Sequence, residues 1–159
     1  MSLLKTLFSR SRPSWPTASD EDWLLTEKPS NDGISLLRIR KLPAEFSFRD
    51  FGHRLSVTWT YQQKVHDGAP AEDEVDFMQR FEARVADGAE RHSAALLALV
   101  FTEPGFRQFE YYGPSRDKFI KLLNRVPQDD VRYPITIAHE NDPDGRLYWS
   151  YARGLVGDS

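Results

Sequence analysis

The segment Leu55-Ser-Val-Thr-Trp-Thr-Tyr61 alternates strictly between apolar and hydroxyl side chains. Its apolar residues, Leu55, Val57, Trp59 and Tyr61, share one face of an extended chain, and its serine and threonines share the other. Because the side chains of a β-strand point alternately to opposite faces, this period of two predicts a half-buried strand. The elements that follow are therefore expected to cover the face that carries Trp59.

Two later segments have the spacing of amphipathic helices. Pro70 and the acidic residues 72–74 suit a helix N-terminus, and a buried stripe follows from Val75 to about Gly88. Ser115 suits the cap of a second helix, whose apolar side chains recur at three- and four-residue spacing between 119 and 126. Both helices are expected to pack on the sheet.

Three further strands are predicted after Tyr61, at residues 94–101, 106–112 and 134–139. The order strand, helix, strand, strand, helix, strand predicts an α+β fold of the ferredoxin-like split β-α-β type, βαββαβ. Two additional N-terminal strands, Trp23–Glu27 and Ile34–Ile39, are expected to extend or cover the sheet.

Length and composition limit the domain organisation and the class of partner. A chain of 159 residues is one domain's worth, so a single α+β domain, residues 21–159, is predicted after a flexible N-terminal segment, residues 1–20. The net charge of −3 supplies no basic field to attract nucleic acid or an anionic membrane. The absence of cysteine excludes disulfides and thiol chemistry and favours a cytoplasmic location. No stretch approaches the roughly 20 apolar residues of a membrane span, whereas an amphipathic membrane contact of residues 3–12 stays open.

Motifs of known chemistry are weak in this sequence. The strand Pro104–Tyr111 matches the aromatic strand of RNA-recognition motifs at Gly105 and Phe106, but Gln108 occupies the second stacking position. The four histidines are scattered without the spacing of metal ligands, and residues 141–145 are predicted to be a plain turn rather than a calcium loop. We therefore predict no nucleic-acid partner, no metal and no cofactor.

Carboxylates and a tyrosine provide an alternative interpretation. Glu82 follows the apolar stripe of the first helix, Glu110 lies mid-strand, and Tyr112 is on the same strand. If such groups, or a histidine with them, converged in a cleft, they would form the acid/base site of an enzyme or a small-ligand-binding protein. A strand carboxylate is more often a cross-strand partner, so we assign no catalytic residue.

The strand 106–112 carries aromatic residues on both faces. Alternation places Tyr111 with Phe109 on the helix-covered face, and Tyr112 with Phe106 on the opposite, open face. The neighbouring strand is expected to add Leu96 and Val100 to the open face, which makes its flank apolar.

These aromatic residues lead to two interpretations. Either the N-terminal strands or the C-terminal aromatic segment cover the open face, or the face contacts another protein. The candidate interaction surface consists of Phe106, Tyr112, Trp149 and Tyr151.

Several short patterns occur in a specific order: residues 55–61, Gly68-Ala-Pro70, Met78–Glu82, Phe109–Tyr112, and Glu140–Pro143 with Trp149 and Tyr151. In this order they resemble the bacterial domain-of-unknown-function family 695, over most of the chain from about Trp23 onward. The family has no assigned activity, so the resemblance implies a fold and not a mechanism. A looser similarity of topology and acidic character, to the regulator of ribonuclease E activity B, a protein inhibitor of an enzyme, favours a binding role.

The sequence therefore predicts a bacterial protein of unknown process that acts as a non-catalytic protein-interaction or regulatory module. Its partner is expected to be a protein of unknown identity, and a second copy of the chain, giving a homodimer, is one form of that expectation. The alternative is a small-ligand-binding protein or an enzyme with the carboxylate and tyrosine site described above.

Overall fold

A computed structural model describes residues 22–30, 33–63 and 68–155. The predicted N-terminal segment, residues 1–20, lies outside these ranges. The described residues form strands β1 (Trp23–Ser30), β2 (Gly33–Arg40), β3 (His53–Thr60), β4 (Leu96–Glu103), β5 (Phe106–Gly113) and β6 (Ile135–Asn141), and helices α1 (Glu72–His92), α2 (Arg116–Arg125) and α3 (Arg146–Ala152).

The strands make one antiparallel sheet in the order β1-β2-β4-β5-β3-β6. The predicted α+β class is confirmed, and each predicted strand is present with ends that differ by a few residues. Strands β1 and β2 extend the sheet beyond β4, which is one of the two positions that the sequence left open for them.

The helices follow the predicted signals with two differences. The Ser115 hydroxyl accepts a hydrogen bond from the backbone N–H of Lys118 at 3.2 Å, which confirms the predicted cap of α2. Helix α1 continues past Gly88 to His92, and the next residue, Ser93, caps its C-terminus with a left-handed φ of 49°. Helix α3 was not predicted. No helix in the described ranges is both long and apolar enough to cross a membrane.

Helices α1 and α2 cover the face of the sheet that carries Trp59. The Trp59 side chain is fully buried, and its ring contacts that of Phe81 at a centroid distance of 5.6 Å. Phe119 of α2 packs on Tyr111 of β5. The Trp59 indole N–H donates to Glu74 at 2.9 Å, so this buried donor is satisfied. The prediction that Trp59 lies between sheet and helices is confirmed.

The chain itself covers half of the opposite face. Helix α3 and the segment 42–51 lie over β2, β4 and β5. There the rings of Phe48 and Tyr112 pack with a centroid distance of 4.5 Å, and Tyr148 is fully buried. The other half, along β3 and β6, is polar and partly exposed, as at Thr58. The C-terminal aromatic segment thus shields this face, whereas the N-terminal strands lie beside it in the same sheet.

Strand β4 reverses its facing pattern at a bulge. Its pairing with β5 shifts between Leu97 and Leu99, which leaves Ala98 as an extra residue. One extra residue inverts the alternation beyond it. Leu96 therefore joins the core on the α3 side, whereas Val100 joins the core beneath α1 and α2. The prediction that Val100 shares the open face with Leu96 is wrong, because residue alternation alone does not show where a bulge lies.

Candidate functional site

Tyr112, one of the four predicted interaction residues, is fully buried. Its hydroxyl donates to the Asp142 carboxylate at 2.7 Å and accepts from the backbone N–H of Tyr148 at 3.3 Å. Burial, together with the Asp142 carboxylate, raises the pKa of Tyr112 well above its ordinary value, so the hydroxyl remains a donor. In this conformation Tyr112 is a core residue that a partner does not reach.

The other three predicted interaction residues are partly exposed and lie against different neighbours. Phe106 begins β5 opposite Thr60, and Tyr151 of α3 packs edge-on against Phe101 at 5.2 Å. Trp149 packs edge-on against the ring of Phe48 on another side of α3. The structure thus does not bring the four residues into one surface, and their contact role stays a prediction.

A polar network lies on the α3 side of the sheet around Glu110, which is 0% exposed. The Ser56 hydroxyl donates to Glu110 at 2.6 Å, and the Arg54 guanidinium lies 3.5 Å from the same carboxylate. Arg54 also pairs with Glu140 and lies 3.9 Å from the Asp142 carboxylate. Each of these carboxylates has a hydrogen-bond or ionic partner, which is the condition under which buried charges are tolerated.

The predicted acid/base groups are divided between the two faces. Glu110 and Tyr112 share the Arg54 network, whereas Glu82 lies on the α1 side, where Arg38 donates to it at 3.3 Å. Solvent does not reach Glu110 in this conformation. The arrangement is that of a closed network that holds β3, β5 and β6 together, and the acid/base alternative stays a prediction.

Two histidines that are distant in sequence meet on the α1 side. His53 Nδ1 and His139 Nε2 are 3.0 Å apart, with nearly parallel rings. Burial, followed by the charges of His53 and Arg116, lowers the pKa of His139. No group of three or more His, Asp or Glu side chains arranged to hold a metal occurs in the part of the chain that the structure describes.

The run from Asn141 to Gly145 ends β6 and begins α3. The Asp142 carboxylate accepts from the backbone N–H groups of Arg146 at 2.7 Å and Leu147 at 3.1 Å, so it satisfies the start of the helix. At Gly145, with φ of 64°, a Cβ would lie 2.2 Å from the Phe48 ring. Glycine is therefore required here by both conformation and space.

A basic cleft lies between the last half of α1 and α2. Its volume is about 430 Å³, and its wall residues include Arg84, Arg91, Lys118, Lys121 and Arg125. The overall net charge of −3 gave no sign of this local reversal.

The outer edge of β6 is free among the described residues. Strand β6 ends the sheet and, among the strands that the structure describes, pairs with β3 alone. This pairing has a backbone hydrogen bond at each end. At one end Thr60 N–H donates to Pro134 C=O, and at the other Asp142 N–H donates to Gly52 C=O. In an antiparallel ladder hydrogen-bonded pairs alternate with non-bonded ones, so the N–H and C=O groups of Ile137 and His139 point away from β3. The exposed side chains of the strand are Thr136, Ile137, Ala138, Glu140 and Asn141.

The profile of a family described as being of unknown function (DUF695) matches residues 21–152. The chain belongs to this family. The predicted resemblance to family 695 is therefore confirmed over most of the chain. No curated protein matches the chain, and no solved structure matches it. Membership of DUF695 assigns no activity to the chain, so its function is inferred from the geometry and charge of its surface features.

Sequence reasoning missed three features of this DUF695 chain. The pairing of His53 with His139 depends on the register of β3 against β6. The basic cleft depends on which sides of α1 and α2 face each other. The free edge of β6 depends on the strand order. A retrospective signal exists for the cleft alone, since Lys118, Lys121 and Arg125 follow helical spacing.

Proposed function

We propose that this protein is a non-catalytic binding module that takes up an extended segment of a partner protein along the outer edge of β6. The observation that carries the proposal is the pair of outward-directed backbone groups at Ile137 and His139, which have no partner among the described residues. An extended segment that pairs with these groups becomes a seventh strand, and its main-chain hydrogen bonds supply affinity.

The two edges of the sheet differ in a way that favours β6. Natural edge strands are protected from pairing by lysine, proline or bulges. Strand β1 contains both Lys28 and Pro29, whereas β6 contains neither between Ile135 and Asn141. Ile137, next to the central residue of β6, is 40% exposed and offers an apolar contact. We therefore assign the partner segment to β6 and expect it to carry alternating apolar side chains.

Substitution of Ile137 tests this assignment. Ile137→Pro removes an N–H that points outward, so the β3–β6 ladder keeps its hydrogen bonds while the partner loses one. Ile137→Thr is the matched control, because it shortens the side chain and keeps the N–H. We expect both variants to melt close to the wild type, and only the proline variant to lose a partner captured by the full chain.

The outcomes of this experiment test pairing at the β6 edge and distinguish a partner protein from a second copy of the chain. Retention of the captured partner by a folded Ile137→Pro variant rules out strand addition at β6. Equal loss in the proline and threonine variants shows that removal of the N–H adds nothing to the change of side chain, which contradicts pairing through the backbone. Sedimentation of the same three proteins identifies a second copy of the chain as the occupant if the wild type is dimeric and the proline variant monomeric.

The proposal also includes the detailed topology of the fold and the cellular location of the protein. We infer a ferredoxin-like arrangement, supported by the order β4-β5-β3-β6 with α1 between β3 and β4 and α2 between β5 and β6. The similarity to the regulator of ribonuclease E activity B and a bacterial, cytoplasmic setting stay predictions. A binding role like that of the regulator agrees with the β6 assignment.

A further inference from the structure

The basic cleft between α1 and α2 has the size and lining of a small-molecule site. Its volume of about 430 Å³ lies in the range that bound ligands of drug or nucleotide size occupy. Leu122, Val126 and Pro127 supply apolar surface, and Gly88 of α1 faces Leu122. A Cβ at Gly88 would already touch the Leu122 side chain at 3.4 Å, so a larger residue at position 88 would crowd this surface.

The charge of the cleft is the reverse of the charge of the whole chain. Five of its lining residues are lysine or arginine and one, Asp87, is acidic, whereas the chain carries 21 basic and 24 acidic residues. His92 lies in the same lining. Gathering like charges around one cleft is unfavourable unless an anion offsets their repulsion.

The cations that line the cleft differ between the two helices in whether they have an ionic or hydrogen-bond partner. On α1, Arg91 pairs with Asp87, and Arg84 donates to Asp129 at 3.1 Å and to Tyr133 at 2.8 Å. On α2, Arg116 pairs with Asp117 and lies outside the lining of the cleft. The three α2 cations that line the cleft have no ionic or hydrogen-bond partner for their charged groups within the described ranges; they are Lys118, Lys121 and Arg125. Their spacing of three and then four residues aligns them on the helix face that borders the cleft.

We propose that this cleft binds a phosphorylated small molecule of nucleotide size. Three unpaired cations match a group that carries several negative charges, since arginine and lysine form charge-assisted hydrogen bonds with phosphate oxygens. The apolar lining, in which Pro127 is exposed and Leu122 and Val126 are largely buried, accepts a ring or other uncharged part of the ligand. This site is separate from the β6 edge and does not depend on the function proposed there.

Calorimetric titration of the full chain with ATP and with pyrophosphate tests the proposal. The double variant Lys121→Glu with Arg125→Glu reverses two of the unpaired cations, and both positions are exposed, so the fold should be retained. Arg49→Glu is the control, because it makes the same type of charge reversal at one exposed residue of the segment that covers the opposite face of the sheet. We expect ATP to bind the wild type, the double variant to bind it at least about tenfold more weakly, and Arg49→Glu to change its affinity by less than about twofold.

Four results would overturn the assignment. The first is failure of ATP to bind the wild type below about 1 mM. The second is an equal loss of affinity in Arg49→Glu, which would show a general charge effect. The third is pyrophosphate binding as tight as ATP binding, which would exclude a role for the apolar surface. The fourth is a ten-nucleotide RNA that binds more tightly than ATP and is lost in the double variant, which would assign the cleft to nucleic acid.

Discussion

The two faces of the sheet are closed by different means. On the α1 and α2 side, apolar and aromatic residues fill the space under two amphipathic helices, with Trp59 at the centre. On the α3 side, half of the face is covered by α3 and residues 42–51, and the other half carries the polar network of Arg54 and Glu110. The same strands supply both faces, so the difference comes from what the rest of the chain places over them.

This difference explains why the open face is a weaker candidate for partner binding than the sequence suggested. Its most apolar part, around Tyr112 and Leu96, is already buried by the chain. Its remaining part has hydrogen-bonded polar side chains such as Ser56. The unpaired backbone of the described strands lies instead at the edges of the sheet, and β6 forms one of these edges.

The largest expected effect is on the helix side. Trp59→Ala removes a fully buried indole and leaves the Glu74 carboxylate without one of its donors. We expect the free energy of unfolding to fall by about 3–5 kcal/mol, measured by chemical denaturation. An unchanged denaturation midpoint would show that the packing beneath α1 does not determine stability and would remove the contrast between the faces.

A smaller effect is expected on the α3 side. Tyr112→Phe keeps the ring and removes the hydroxyl that joins Asp142 to the Tyr148 backbone. The expected loss is about 1–2 kcal/mol, because a buried acceptor loses a donor. Tyr151→Phe is the control, since Tyr151 is partly exposed and its hydroxyl has no hydrogen-bond partner within the described ranges. Equal melting temperatures for the two variants would contradict the description of Tyr112 as part of a buried network.

The smallest effect is expected at the paired histidines. Because burial and the nearby charges of His53 and Arg116 lower the pKa of His139, the unfolded chain takes up this proton at a higher pH than the folded chain does. Stability from His139 is therefore present above the unfolded value of 6.5 and declines as the pH falls below it. His139→Gln should flatten this decline in denaturation measured between about pH 7 and pH 5, by less than about 0.5 kcal/mol because the ring is partly exposed. If the stability of His139→Gln fell as steeply with pH as that of the wild type, groups other than His139 would be responsible for the decline.

The sequence predicted the features that depend on local periodicity. The alternation from Leu55 to Tyr61 and the Ser115 cap identified a strand and a helix start that the structure contains. It did not predict features that depend on long-range pairing. The bulge at Ala98 moved Val100 to the other face, and the cover of Tyr112 comes from segments far from it in sequence.

The site residues show the same limit. The sequence identifies four aromatic residues on a strand face or in the C-terminal segment, Phe106, Tyr112, Trp149 and Tyr151. This pattern does not show which of them the chain buries. Burial depends on α3, whose start relies on the Asp142 carboxylate and was not recognised in the sequence.

Residue-resolved amide hydrogen exchange of β6 tests the central claim most directly. In the free chain, the N–H groups of Ile137 and His139 should exchange quickly because they point away from β3, and those of Thr136 and Ala138 should exchange slowly because they belong to the ladder. Addition of the captured partner should slow exchange at Ile137 and His139 and leave the ladder positions as they were. Slow exchange at Ile137 in the free chain, or no change at Ile137 and His139 in the complex, would contradict strand addition at this edge.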